Sequence, residues 1–85
     1  MSEIFLHGAR LPWPVDWTVH FGREAPLVME IGFGNGEFLL QTAVAHPEWN
    51  WLGVEISLPS LRKAARKIRQ AGLRHVSVVQ RDAAY

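Results

Sequence analysis

The chain has 85 residues, fewer than the ~100–150 usual for a domain, and its 48% hydrophobic and 20% charged residues mark a globular protein rather than a disordered one. A net charge of +1 gives no global electrostatic argument for nucleic acid, and the absence of cysteine excludes disulfides and thiolate metal sites.

Residues 1–26 are expected to be irregular, because Pro12, Pro14 and Pro26 interrupt regular structure and Trp13 and Trp17 flank a turn. From residue 27 the pattern becomes orderly, and residues 27–85 read as a separate unit. Leu27–Ile31 is a short apolar run that predicts a buried strand. Three glycines on alternate positions follow, and Glu37–Ala45 then predicts a helix with Leu39, Leu40, Ala43 and Val44 on one face. His46–Pro47 ends it. Trp51–Glu55 predicts a second strand, closing like the first on an acidic residue. Ser57 can cap a second helix, Pro59 sits in its first turn where a missing N–H costs nothing, and Gly72 can terminate it. Leu58, Leu61, Ala65 and Ile68 supply its apolar face. Val76–Gln80 predicts a third strand, leading into Arg81 and Asp82.

The order β-α-β-α-β requires parallel strands. Right-handed crossovers running one way place both helices on one face of the sheet. The other face is then covered only by what residues 1–26 provide, and Leu27–Ile31 is an open edge. Parallel sheets are normally covered on both faces, so the chain reads as an α/β protein carrying half of a doubly wound domain.

The chemistry concentrates at Gly32, Gly34 and Gly36. A strand, a glycine turn and a helix bring backbone against a nucleotide-like ligand at a helix N-terminus. The spacing is G-x-G-x-G; the dinucleotide pattern G-x-G-x-x-G would need glycine where this chain has Glu37. A carboxylate at the helix start opposes a pyrophosphate, so the ligand expected is a nucleoside without phosphate, of which S-adenosylmethionine is the commonest. Three acids, Glu30, Glu55 and Asp82, fall at the carboxyl ends of the strands, the rim where open α/β sheets bind ligands. Glu55 follows the glycines at the distance suited to ribose hydroxyls, Asp82 can accept from an adenine amine, and Glu30 can answer an ammonium group or fix the loop. For each acid taken alone, capping of the next helix or simple solvation is the competing explanation. Phe33 and Asn35 shape the loop, Phe33 by packing or by ligand contact.

Arg62, Lys63, Arg66, Lys67, Arg69 and Arg74 form a basic row that can meet RNA phosphates, although a solvated helix face is the simpler explanation. Trp49 and Trp51 are better explained by packing than by base stacking. His7, His20, His46 and His75 are scattered without metal-ligand spacing. No apolar run approaches the ~20 residues of a membrane span. The N-terminus lacks a signal-peptide pattern, so a cytoplasmic protein with neither metal nor membrane partner is expected.

The run Glu30 to Leu39, E-I-G-F-G-N-G-E-F-L, closely resembles the first motif of the tRNA (guanine-N7)-methyltransferases. His46 to Ile56, H-P-E-W-N-W-L-G-V-E-I, extends the resemblance, as do Ala71–Gly72–Leu73 and the strand ending near Asp82–Ala83; it covers about residues 27–83. It implies a Rossmann-like, class I S-adenosylmethionine-dependent methyltransferase domain, of which this chain has the N-terminal half, with methyl transfer to guanine N7 of tRNA. It also implies that Glu30, Gly32, Gly34, Gly36, Glu55 and Asp82 belong to the cofactor site. The family's further aspartate after the fourth strand, implicated in catalysis, and its neighbouring tRNA-binding basic residues have no counterpart in this sequence, so no catalytic residue is assigned. Methylation of another substrate, dinucleotide-dependent redox chemistry and a non-catalytic fragment are the alternatives.

Overall fold

Each apolar run expected as a strand forms one, and each amphipathic segment forms its helix. The structure, a computed structural model, describes residues 4–81. In chain order the elements are β1 (Phe5–His7), a 3-10 turn (Gly8–Arg10), α1 (Trp17–Phe21), β2 (Leu27–Ile31), α2 (Glu37–Ala45), β3 (Asn50–Glu55), α3 (Leu58–Ala71) and β4 (Val76–Gln80). The four strands make one parallel sheet in the order β1-β4-β3-β2.

The segment before residue 27 departs from the irregular chain expected of it. Phe5, Leu6 and His7 pair with Val78, Val79 and Gln80, so a fourth strand closes the β4 edge. Three residues are too few to show a period-2 pattern in sequence; the unpaired backbone of β4 supplies the partner that local sequence does not announce. Asp16 caps α1 by accepting the Val19 N–H at 3.2 Å, and Gly22 ends it at φ 71°.

Helices α2 and α3 lie on the same sheet face, where Leu39, Ala43, Leu61, Ala64, Ala65 and Ile68 bury against Trp51, Val76 and Val78. The local signals of α3 operate as expected: Ser57 Oγ accepts the Ser60 N–H, and Gly72, at φ 69°, donates its N–H to the carbonyls of Ile68 and Arg69. The opposite face buries a smaller group, Leu6, Leu52, Val54 and Val79, beneath Leu11 and Trp17. This cover stops short of β2. Met29 and Ile31 remain 52% and 61% exposed, beside a trough of ≈ 320 Å³ lined also by Trp13, Leu52, Val54, Val79 and Arg81. The open β2 edge and the thinly covered face agree with half of a doubly wound sheet.

One brace gave no local signal. The Arg23 guanidinium donates to Asn50 Oδ1 at 2.9 Å and to the carbonyls of Pro47 and Trp49 at 2.7 and 2.8 Å. Asn50 is 1% exposed, so this charge satisfies a buried amide at the start of β3 and orders the α2–β3 connection.

Candidate functional site

The glycine loop leaves the sheet at the carboxyl end of β2. Gly32 donates its N–H to the Val54 carbonyl at 2.8 Å, extending the strand pairing by one residue before the chain turns. Gly32, Gly34 and Gly36 have φ of 68°, 62° and 85°, left-handed values that L side chains rarely adopt. The three glycines differ in what their missing Cβ would meet. At Gly32 and Gly34 it would enter open space, so the backbone there presents a bare cradle. At Gly36 it would come within 2.8 Å of Ala64 Cβ, so that glycine lets α2 close against α3.

Phe33 points inward. It is 6% exposed and lies over Gly53, where a Cβ would stand 2.6 Å from the ring. The glycine in the middle of β3 therefore makes the socket that anchors the loop, and packing is the role of Phe33. Asn35 Oδ1 accepts the Glu37 N–H at 3.1 Å and so starts α2. Lys67 on α3 ion-pairs with Glu37 and donates to the Asn35 carbonyl at 3.4 Å. Lys67, placed by its sequence in a solvated or RNA-facing row, instead ties the loop to α3. Its partner could not be read from spacing, because the two residues lie 30 positions apart.

Glu55 ends β3 beside this cradle. Its Oε1 accepts the Gly34 N–H at 3.4 Å, and its Oε2 accepts the N–H groups of Ile56 and Ser57 at 2.9 and 3.1 Å. The carboxylate thus touches the loop and the entrance to α3 together, a fixed orientation that sequence separation alone does not reveal. Capping and ligand contact, set as competitors at the sequence level, are compatible here, since a carboxylate has several acceptor positions.

Glu30 pairs in register with Gly53, two positions before Glu55 along the strand direction. Burial raises its carboxyl above the ordinary carboxylate range. The folded protein therefore binds that proton more tightly than the unfolded chain does. Glu30 favours folding most under acid conditions, and the advantage is lost as pH rises through its raised value. We expect Glu30→Gln to gain stability relative to the parent on going from pH 4 to pH 7, measured as the difference in urea midpoint; a difference that stays constant with pH would refute the burial argument. Asp82 lies outside the described residues. The structure thus brings Gly32, Gly34 and Glu55 together around open space, with Gly36 behind them and Glu30 lower on the neighbouring strand.

Trp49, Trp51, His20, His46 and His75 make structural contacts. Trp51 is buried, and its Nε1 donates to the His46 carbonyl, while Trp49 stacks on His46 with ring centroids 4.5 Å apart. His20 is hydrogen-bonded to Ser77 and His75 to the Ala43 carbonyl. No group of three potential ligands and no helix long and apolar enough to cross a membrane occurs among the described residues.

Comparison with known proteins adds three findings. A family described as "Putative methyltransferase" matches residues 24–85. The tRNA (guanine-N(7)-)-methyltransferases of Thermotoga maritima and Yersinia enterocolitica are 47% and 44% identical over 73 and 72 residues. These alignments cover 86% and 85% of this chain but only 23% and 30% of the relatives. Among solved structures, coclaurine N-methyltransferase bound to N-methylheliamine and S-adenosylhomocysteine superposes with a TM-score of 0.64 at 19% identity, over 78% of this chain and 20% of that one. At that identity the likeness speaks to fold alone: a parallel sheet with helices packed on it.

Proposed function

The chain belongs to the methyltransferase family whose curated relatives are tRNA (guanine-N7)-methyltransferases, and on that premise we propose that it forms the methyl-donor-binding portion of an enzyme acting on guanine N7 of tRNA. The chain spans about a quarter of the length of those relatives, so methyl transfer itself is proposed for a polypeptide that also carries the substrate-positioning part. The observation that carries the proposal is the open backbone cradle at Gly32 and Gly34, with the Glu55 carboxylate fixed against it.

The residues present suit S-adenosylmethionine. Positive-φ glycines with open space before them allow close backbone approach, and acceptor-only carboxylates match a ligand that offers hydroxyls and cations. In this reading Glu55 accepts from the ribose hydroxyls, Glu30 faces the ammonium group and Asp82 accepts from the adenine amine. Gly36 holds α2 against α3, and Lys67 neutralises Glu37 and steadies the loop. The bound donor supplies an electrophilic methyl group on a sulfonium. Guanine N7 has an in-plane lone pair and no proton, so transfer by in-line displacement needs no general base. The protein's contribution is alignment, which can lower a barrier by ~7–11 kcal/mol. The same reading places the enzyme in the cytoplasm.

Isothermal titration with S-adenosylhomocysteine is the test. We expect binding by the chain and a loss of about 1–3 kcal/mol, or about 5–150-fold, on Glu55→Ala. An unchanged affinity would remove Glu55 from the site. Binding of NAD in place of S-adenosylhomocysteine would transfer the chain to the oxidoreductase alternative.

A further inference from the structure

Helix α3 carries five of the nine lysines and arginines of the chain and none of its eight acids. The overall charge of +1 hides this concentration. The basic side chains divide by position around the helix. Lys67 faces α2 and is committed to Glu37 and the glycine loop. Arg62, Arg66 and Arg69, spaced i, i+4 and i+7, share the other flank and form a ribbon about 10 Å long. All three are exposed, and none has a carboxylate partner among the described residues.

The ribbon begins at a groove. Phe5, His7, Leu58, Arg62 and Gln80 line a hollow of ≈ 400 Å³ between β1 and the start of α3, at the carboxyl rim of the sheet. The Phe5 and His7 rings lie 4.9 Å apart, and His7 is exposed. The two rings are tilted by 51°, so each offers its own face, and an aromatic face next to unneutralised guanidinium groups suits a nucleotide, which offers a ring to stack and a phosphate to pair. A lipid surface fits less well: Leu61, Ala64, Ala65 and Ile68 are at most 4% exposed, which leaves the half-buried Leu58 as the one large aliphatic side chain of α3 with surface to insert.

We propose that Arg62, Arg66 and Arg69, with the Phe5–His7 groove, form a contact surface for the sugar-phosphate backbone of single-stranded or looped RNA. This surface lies on the β1 side of α3, on the flank away from the glycine loop. It extends the tRNA reading by giving that partner a docking place, and it does not depend on the donor site.

The test is fluorescence anisotropy of a labelled single-stranded RNA with the full chain over a salt series. Replacing all three residues (Arg62→Gln, Arg66→Gln and Arg69→Gln together) is expected to weaken RNA binding at least tenfold at low salt. It should also reduce the slope of log affinity against log salt by about 2. The corresponding lysine variant should keep the slope, because it keeps the charges. S-adenosylhomocysteine titration of the glutamine variant should match the parent, so failure of the donor site registers separately. Circular dichroism should show unchanged helix content, since all three positions are exposed. The proposal is overturned if the glutamine variant retains the parent's slope and affinity, or if polyglutamate or anionic phospholipid vesicles bind the chain as tightly as RNA does.

Discussion

Gly36→Val is expected to destabilise the protein by about 2–5 kcal/mol and to abolish binding of S-adenosylhomocysteine. Two costs combine. The residue holds φ 85° as the N-cap of α2, and a β-branched side chain in the left-handed region costs about 1–2 kcal/mol. Its Cβ would also stand 2.8 Å from the Ala64 Cβ and 3.3 Å from the Ala64 Cα. Neither atom is the free end of a flexible side chain, and Ala64 is 1% exposed, so α2 and α3 must separate. Such overpacking typically costs about 1–3 kcal/mol. An 85-residue protein has only about 4–13 kcal/mol in all, at 0.05–0.15 kcal/mol per residue. Gly34→Ala is the informative control. Its Cβ meets nothing within 4 Å, so only the backbone strain of about 1 kcal/mol applies, while the added methyl group occupies the cradle. Urea denaturation and isothermal titration on both variants separate the roles. Equal stability losses at the two positions would show that helix packing does not explain Gly36.

The 85-residue chain by itself is expected to self-associate, giving concentration-dependent species in sedimentation velocity. Among the described residues β2 has a neighbour on one side only, which leaves its outer backbone groups at the sheet edge without strand partners. On the same strand Met29 and Ile31 hold more than half of their surfaces exposed beside the apolar trough. Covering them gains about 0.8–1.5 kcal/mol each, half the value of a fully buried side chain. Edge pairing and apolar burial act together in one contact, so association is favoured twice. Met29→Lys with Ile31→Lys places charge on that strand, the device by which natural edges resist pairing, and should restore a monomer. A monodisperse monomer of the parent chain with a sharp cooperative melt would contradict the expectation.

The elements that announced themselves in the sequence carry local signals. α3 shows a capping serine, an early proline, an apolar stripe and a terminal glycine, and each performs its expected task. The glycine loop announced itself as well, because only a need for positive φ explains glycine at three alternate positions. β1 did not, since its three residues are strand only by virtue of the β4 edge beside them. Arg23 gave no hint of bracing Asn50, 27 residues away, nor Lys67 of reaching Glu37, because long flexible cations find partners that no periodicity encodes.

By itself the sequence determined the alternation of strand and helix and the glycine turn between β2 and α2, both consequences of backbone preference and residue chemistry within a few positions. Only the tertiary structure decided that Phe33 fills the socket over Gly53, that Glu55 meets the Gly34 N–H, and that the arginines of α3 divide from Lys67 across the helix. Those outcomes depend on distant segments being brought within a few ångströms by burial of the shared core. The packing, rather than any local preference, selects which side chains meet.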